Sequence, residues 1–165
     1  MATLNNLVEN DEYFTCIEAW MDVLHYLDLN RTYLDPFYGN GDNINNLKEL
    51  GLNCIGCNLD CFELLRNLDF DVIITNSPFS RSILTEFLYN LEALQKPFII
   101  ILPITKIFSK YFRTAFRSYS NIQIIIPRKR LSFIDPTNPN KRSNPSFVCA
   151  YITYKLDLPS DLIFL

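Results

Sequence analysis

Residues 69–80, with the sequence DFDVIITNSPFS, contain the pattern that decides the fold. Val72, Ile73 and Ile74 form a short apolar run bounded by polar residues, as expected for a strand that is buried on both faces. Such strands belong to parallel sheets that helices cover on both sides. An amide, a hydroxyl, a proline and a phenyl ring follow at once in residues 76–79. This order predicts an α/β protein with chemically active groups placed directly after a strand.

Strands and helices alternate along the rest of the chain. Apolar residues at helical spacing predict helices at residues 16–28, 44–50, 83–94 and 104–116. Apolar runs bounded by turn residues predict strands at residues 32–37, 53–59, 69–75, 96–103, 121–127 and 147–154. Strands that alternate with helices form a mainly parallel sheet. Only residues 127–146, a polar stretch with four prolines, depart from this rhythm and are predicted to form a loop.

The bulk composition is that of a globular protein. The chain has 165 residues, of which 48% are hydrophobic and 14% aromatic, enough for one domain with its own core over residues 1–165. No apolar run approaches the roughly 18 residues of a membrane span, and the first residues lack the pattern of a secretory signal. We therefore expect a soluble, intracellular protein of the cytoplasm or, in a eukaryotic host, of the nucleus.

The five cysteines do not form the pattern of a disulfide scaffold, because they are odd in number and scattered through the chain. They are Cys16, Cys54, Cys57, Cys61 and Cys149. The spacing of Cys54, Cys57 and Cys61 raises the alternative of a zinc site. Cys54 and Cys57, however, lie in one predicted strand, where their odd spacing directs them to opposite faces. We expect reduced core cysteines and no metal.

A glycine-containing loop follows the first predicted strand. The sequence LDPFYGNGD, residues 34–42, places Asp35 at the strand end and then Gly39 and Gly41 on either side of one residue. Glycines at such a turn let the backbone approach a ligand closely and adopt conformations that a side chain forbids. Ligands of open α/β sheets bind beyond the carboxyl ends of the strands. The loop is therefore a candidate ligand site, although it lacks the Gly-Lys-Ser/Thr of a Walker loop.

The second candidate loop is TNSPFS, residues 75–80. The side-chain oxygen of Asn76 and the carbonyl oxygen of Ser77 are two hydrogen-bond acceptors. Pro78 stiffens the turn, and Phe79 offers a ring for stacking. This set suits a flat heterocycle that carries an amino group, with each acceptor taking one hydrogen of the amine. The alternative is an ordinary Asn-x-Pro turn without a ligand.

Together the two loops resemble motifs of the amino-directed, S-adenosylmethionine-dependent methyltransferases, especially the adenine-specific DNA enzymes. DPFYGNG, residues 35–41, is similar to their cofactor motif D-P-F-x-G-x-G, and NSPF, residues 76–79, is similar to their catalytic motif N-P-P-[YF]. DEYFTCIEAW, residues 11–20, resembles the segment that closes over the methionine end of the cofactor. NLDCF, residues 58–62, resembles the acidic motif that contacts the cofactor's adenine.

The resemblance implies a Rossmann-like methyltransferase fold, a three-layer sandwich around a mainly parallel sheet that ends in an antiparallel hairpin. Only a dozen residues separate Asn58 from Asp71. Since the family places a helix and a strand there, we expect one edge strand to be missing. The chain also has no room for a separate target-recognition domain.

The resemblance also assigns roles to residues. Those expected to hold S-adenosylmethionine are Thr15, Asp35, Pro36, Phe37, Gly39, Gly41, Asn58 and Asp60. Asn58 stands where the family has an acid for the ribose hydroxyls, which implies weaker binding. The expected catalytic residues are Asn76, Ser77, Pro78 and Phe79. Ser77 replaces a proline of the family but keeps the backbone carbonyl, so the second acceptor is retained.

A basic cluster lies in an otherwise acidic chain. The net charge is −3 and the isoelectric point about 5.1, yet five cations lie within residues 128–142 with only Asp135 against them. They are Arg128, Lys129, Arg130, Lys141 and Arg142. These side chains are either a solvated face or contacts to nucleic-acid phosphates. Phe133, in the same stretch, is either a base-stacking residue or a core residue.

Methylation of the adenine amine in DNA, with the base flipped out of the stack, is the leading hypothesis. RNA is the main alternative substrate, and methylation of a protein glutamine uses a similar motif. A catalytically weak, cofactor-binding partner subunit is the alternative of a different class, because of Ser77. Target recognition would come from residues 128–146, from a second copy of the chain or from a separate specificity subunit. No membrane partner is expected.

Overall fold

The computed structural model describes residues 13–117, 119–135, 138–143 and 145–165. The helices are α1 (Ile17–Met21), α2 (Asp42–Glu49), α3 (Cys61–Asn67), α4 (Arg81–Leu94) and α5 (Lys110–Ala115), with 3-10 turns at Leu24–Tyr26 and Ile104–Phe108. The strands are β1 (Phe14–Thr15), β2 (Thr32–Leu34), β3 (Asn53–Ile55), β4 (Val72–Asn76), β5 (Phe98–Pro103), β6 (Ile122–Ile126), β7 (Phe133–Asp135), β8 (Asn138–Ser143), β9 (Cys149–Tyr154) and β10 (Leu162–Phe164). Across the described residues, no helix has the length and apolar character that a membrane span requires.

Seven strands form the central sheet, in the order β10-β6-β9-β5-β4-β2-β3. Neighbouring strands pair in parallel except at β9, which runs antiparallel to both β5 and β6. Every residue of β5 and β9 is buried, as expected for strands that are covered on both faces. The prediction of an α/β fold with a mainly parallel sheet and a final antiparallel pair is confirmed.

The two edges of the sheet differ in how well they were predicted. On one side β3 is the edge, and the described chain between β3 and β4 forms α3 but no strand. The missing edge strand is thus confirmed, because the short connection suffices for a helix alone. On the other side β10 pairs in parallel with β6. The sequence patterns do not predict β10, since three residues are too few to show an alternation.

Residues 127–146 are not a plain loop, and that prediction is wrong. β7 and β8 form an antiparallel hairpin, and β1 pairs with β7 to complete a small sheet of the order β1-β7-β8. Phe133 of β7 is completely buried, so its role is in the core and not in base stacking. Thr15 lies opposite Phe133 in this sheet. The sequence patterns do not show the hairpin, because β7 has only three residues and β8 has no apolar residue that alternates with polar ones.

Two predicted helices are shorter and interrupted. Residues 16–28 form α1 and a separate 3-10 turn, and residues 104–116 form a 3-10 turn followed by α5. Ser109 begins α5 anew, because its side chain accepts a hydrogen bond from the backbone N–H of Phe112. The apolar spacing continues across each break, so periodicity alone cannot reveal the interruption.

The register of β2 and β4 brings the two candidate loops together. Leu34, the last residue of β2, lies opposite Ile73 of β4 in a parallel pair. Parallel neighbours end at the same edge of a sheet, which is where ligands bind in α/β folds. The loop that begins with Asp35 and the loop that begins with Asn76 therefore start side by side.

Candidate active site

A buried hydrogen bond joins the two candidate loops. The hydroxyl of Thr75, in β4, donates to Oδ1 of Asp35 over 2.6 Å. Both residues are only 1% exposed. The bond ties the first residue of the glycine loop to the strand that carries the catalytic candidates.

The carboxylate of Asp35 is the centre of a larger polar network. Its Oδ2 accepts a hydrogen bond from Nδ2 of Asn43 over 2.6 Å, and its Oδ1 also accepts from the backbone N–H of Phe37 over 3.1 Å. Oδ1 of Asn43 accepts in turn from the indole N–H of Trp20. Burial raises the pKa of Asp35 from 3.8 to about 6, against the opposing effect of its hydrogen-bond donors. The structure therefore gives Asp35 a positioning role within the loop, and its predicted contact with a cofactor stays a prediction.

The glycine loop adopts a backbone conformation that favours glycine. The φ angles are +55° at Gly39 and +85° at Gly41, which immediately precedes α2. A Cβ atom at Gly39 would lie 3.4 Å from the ring of Phe14, a residue of β1. The loop thus presents bare backbone to the segment that covers it, and Pro36 is buried beneath.

Asn76 presents an acceptor that no group in the described part of the chain uses. Its Nδ2 donates to the backbone carbonyl of Tyr13 over 2.7 Å, whereas its Oδ1 is buried without a hydrogen-bond partner. The hydroxyl oxygen of Ser77, a residue 2% exposed, is likewise unpaired there. Leaving a buried polar atom unpaired costs about 1–3 kcal/mol. Such an atom requires an explanation, and for Asn76, which lines the pocket between the two loops, a donor brought by a ligand would be one.

Phe79 is enclosed by other aromatic rings. Its ring stacks on that of Tyr13, with centroids 6.1 Å apart and an interplanar angle of 24°. The ring of Phe147 meets it edge-on, at 5.1 Å and 85°. Nζ of Lys106 donates to the backbone carbonyl of Phe79 over 3.1 Å, and Pro78 is buried before it. The face that was predicted to stack on a ligand is therefore covered by a side chain of this protein.

A narrow pocket lies between the two loops. Its volume is about 40 Å³, and Asp35, Asn76 and Thr15 are among the residues that line it. A space of this size holds about three water molecules. Tyr13 and Phe14 contribute to its wall, so the segment of residues 13–15 determines how narrow the pocket is.

The remaining predicted cofactor residues lie beyond β3. Asn58 is exposed. Oδ1 of Asp60 caps α3 by accepting from the backbone N–H groups of Phe62 and Glu63, over 2.9 and 3.2 Å. Its second oxygen, Oδ2, has no hydrogen bond within the described residues. The cap therefore fixes the carboxylate and still leaves one oxygen for a ligand.

Two residues of the basic cluster hold the β7–β8 hairpin in place. Arg130 donates from Nη2 to the carbonyl oxygens of Pro145 and Phe147. Arg142 forms an ion pair with Glu18 of α1, and this hydrogen-bonded contact lowers the pKa of Glu18. Both arginines are thus engaged in contacts within the protein.

The other three cations of the cluster are available for a partner. Arg128, Lys129 and Lys141 are exposed and make neither a hydrogen bond nor an ion pair with any residue that the structure describes. Arg128 and Lys129 precede β7, and β7 pairs with β1, a strand whose residues line the pocket. Phosphate contact stays a prediction for these side chains.

Sequence reasoning missed four residues of the site. Asn43 and Thr75 bind Asp35 directly, and a Cβ atom at Gly56 would lie 2.6 Å from the carbonyl oxygen of Asp35. Signals for these three were present: Thr75 begins the quoted TNSPFS, Asn43 directly follows the glycine loop, and Gly56 follows a strand. Tyr13 lies within residues 11–20, the segment that resembles the cover of the cofactor, but its contact with Asn76 carried no signal, because the two residues are 63 positions apart in sequence.

Comparison with known proteins places the fold. No protein-family model matches the sequence, and no curated protein matches it. A precorrin-6y C5,15-methyltransferase from Geobacter metallireducens is similar in structure, with a TM-score of 0.52 and 13% identity over 90% of this chain and 98% of that chain. A Listeria monocytogenes protein assigned to the class I S-adenosylmethionine-dependent methyltransferases gives a TM-score of 0.53 and 12% identity over 98% of this chain and 68% of that chain. The chain therefore has the Rossmann-like fold of class I methyltransferases.

Proposed function

We propose that the protein transfers a methyl group from S-adenosylmethionine to the exocyclic amine of adenine in DNA. The observation that carries the proposal is the unpaired Oδ1 of Asn76, a buried acceptor at the carboxyl edge of a sheet with the class I methyltransferase fold. An acceptor in this place suits an amine, which brings hydrogens to it. It does not suit a carboxylate or a phosphate, which would bring a second acceptor.

Two oxygens define the proposed position of the amine. Oδ1 of Asn76 and the backbone carbonyl of Ser77 each accept one N–H of the substrate. Because both hydrogens then point at the protein, the lone pair of the nitrogen is directed away from the two acceptors. Fixing the amine in this orientation is what a methyl transfer requires of the protein, since the reacting atoms must be aligned.

The residues of the glycine loop and of the α3 cap fit S-adenosylmethionine as cofactor. Gly39 and Gly41 offer bare backbone, in conformations where a side chain would be strained and where a Cβ at Gly39 would approach Phe14. Asp60 offers a fixed carboxylate oxygen at the start of α3. When bound, the cofactor would supply the methyl group from its sulfonium sulfur and would leave as the neutral thioether, and the methylated amine would release one N–H proton to water. Because the pocket of about 40 Å³ is much smaller than that molecule, residues 13–15 move outward to admit it.

The choice of DNA rests on the exposed cations. Arg128 and Lys129 precede β7 and Lys141 lies in β8, and β7 pairs with β1, whose residues line the pocket. The net charge of the chain is −3, so these exposed cations are a local excess of positive charge. Contacts from these side chains to backbone phosphates would hold the strand while one base enters the pocket.

The test is to incubate the purified protein with S-adenosylmethionine and either DNA or RNA, and to analyse the digested nucleosides by mass spectrometry. N6-methyladenosine in RNA alone would replace DNA by RNA as the substrate. The variant Asn76→Ala serves as the control, because methylation that continues in it at the wild-type rate comes from a contaminant or from another site. Absence of methylated nucleosides from both substrates would reject the proposal.

A further inference from the structure

We propose that Tyr13 stands in for the target base and must withdraw from the pocket before a substrate can bind. The inference rests on the proposed function, because the position it fills is the one proposed for the target. It also narrows the substrate to a flat aromatic ring that carries an amine.

The first argument is the stacking of Tyr13. Its ring lies on Phe79 at a centroid distance of 6.1 Å and an angle of 24°, and Phe147 meets it edge-on at 5.5 Å and 87°. The same Phe147 ring is edge-on to Phe79. Phe79 and Phe147 therefore contact the ring of Tyr13 in the stacked and edge-on geometries that aromatic rings favour, and Phe133 adds a tilted contact at 5.7 Å and 58°. A nucleobase has the shape that such an enclosure accepts, whereas the narrow amide of a glutamine side chain would leave it unfilled.

The second argument is the hydrogen bonding of Asn76. The backbone carbonyl of Tyr13 accepts a hydrogen bond from the side-chain amide of Asn76. Tyr13 therefore contacts both Asn76, the polar residue of the site, and Phe79, the residue predicted to stack on the substrate. The carbonyl brings an acceptor and no donor, and consequently Oδ1 of Asn76 stays unpaired within the described residues. Tyr13 thus fills the volume of the target without supplying the hydrogens of its amine, and a true substrate would satisfy an atom that Tyr13 leaves unsatisfied.

The segment that carries Tyr13 is held by few hydrogen bonds: besides the pairing of β1 with β7, the carbonyl of Tyr13 accepts from Asn76 and that of Thr15 accepts from Asn46, over 2.7 and 3.4 Å. β1 contains only Phe14 and Thr15, and it pairs with β7 at an edge of the small sheet. The phenol hydroxyl of Tyr13 makes no hydrogen bond with any described residue. Short edge strands with few hydrogen bonds are the parts of a fold that open locally at small cost. A ligand with better contacts can therefore displace the ring.

The experiment measures binding of adenosine to the full-length protein by calorimetry. Tyr13→Ala removes the competing ring and should bind adenosine about tenfold more tightly than the wild type, because less of the protein is in the self-filled state. Tyr13→Phe keeps the ring and should match the wild type. Adding Asn76→Ala to Tyr13→Ala should abolish the gain. Purine riboside, which lacks the amine, should gain much less from Tyr13→Ala than adenosine does.

The proposal is overturned if Tyr13→Ala binds adenosine no better than the wild type, if the gain survives Asn76→Ala, or if adenosine binds to none of the variants. None of these readouts requires turnover, so methyl transfer by the wild type, measured separately, still tests the proposed function. Should Tyr13→Ala fail to fold, amide hydrogen exchange of the wild type decides. Saturating adenosine should then speed exchange at Phe14 and Thr15, and unchanged exchange would refute the displacement.

Discussion

Thr75 and Asp35, which lie 40 residues apart, are joined by a 2.6 Å hydrogen bond in the interior of the protein. The bond connects the strand before TNSPFS to the first residue of the glycine loop. Together with Asn43 and the backbone of Phe37, it surrounds one carboxylate with donors. The relative position of the two loops is therefore fixed by buried polar contacts as well as by the sheet.

The first prediction concerns the pH dependence of stability. The pKa of Asp35 is about 6 in the folded protein and near its ordinary value of 3.8 when unfolded, because burial disfavours the charged form. Between these values only the folded state holds the proton, so this residue stabilises the fold progressively as the pH falls from 7 to 4. The contribution of Asp35 to the free energy of unfolding increases by about 3 kcal/mol at most over this range.

Urea unfolding of the wild type and of Asp35→Asn at several pH values measures this contribution. Asparagine does not titrate, and the difference in unfolding free energy between the two proteins should change in favour of the wild type as the pH falls. Other carboxylates titrate equally in both proteins and cancel in the difference. A difference that stays constant from pH 7 to pH 4 would contradict the raised pKa.

The second prediction concerns cofactor binding. Gly39→Val should abolish calorimetric binding of S-adenosylmethionine, because the added carbons enter the space between the glycine loop and Phe14. Gly51→Val is the matched control, since Gly51 also has a positive φ, of +89°, but has open space where the Cβ would be. Both variants suffer the same kind of backbone strain. Equal loss of binding in the two would mean that strain, and not the pocket, explains the effect.

The sequence predicts the layers and the loops better than it predicts what covers them. Asp35 and Asn76 were correctly placed at strand ends, because a buried strand and the polar residues after it are both local patterns. The segment of Tyr13 was associated with the cofactor but its contacts with Asn76 and Phe79 were not predicted, and the β7–β8 hairpin was predicted as a loop. The contacts of Tyr13 join distant segments and leave no periodicity to detect, and the strands of the hairpin are too short or too polar to show an alternation.

For the basic cluster, too, the sequence alone does not predict which side chains contact distant residues. From the sequence alone, Arg130 and Arg142 cannot be distinguished from Lys141. Their difference depends on the carbonyl oxygens that face Arg130 and on Glu18, which approaches Arg142 from a helix 124 residues away in the sequence. Composition predicts a basic patch, and only the folded chain shows which cations already have partners.

The third prediction concerns turnover. Asn76→Ala should lower kcat by a factor of about a hundred or more while the affinity for S-adenosylmethionine changes little, because only the positioning of the amine is lost. Ser77→Pro should retain or raise kcat, since the carbonyl acceptor is kept. Ser80→Ala, which also removes an unpaired buried oxygen in this loop, should leave kcat unchanged. Normal turnover by Asn76→Ala would exclude the catalytic interpretation of this loop.

The last prediction concerns the exposed cations. If Arg128 and Lys129 contact phosphates, Arg128→Ala combined with Lys129→Ala should flatten the slope of log affinity against log salt by about 0.7 to 0.9 for each contact removed. Arg113→Ala with Arg117→Ala is the control pair, because both residues are exposed and lie near the end of α5, which leads to the amino end of β6 and away from the pocket. This pair should leave the slope unchanged. The net charge changes equally in both pairs, so a general loss of positive charge cannot produce the difference. Identical slopes would mean that the cluster is a solvated face. Arg130 is unsuited to this test, because replacing it also removes the hydrogen bonds that hold Pro145 and Phe147.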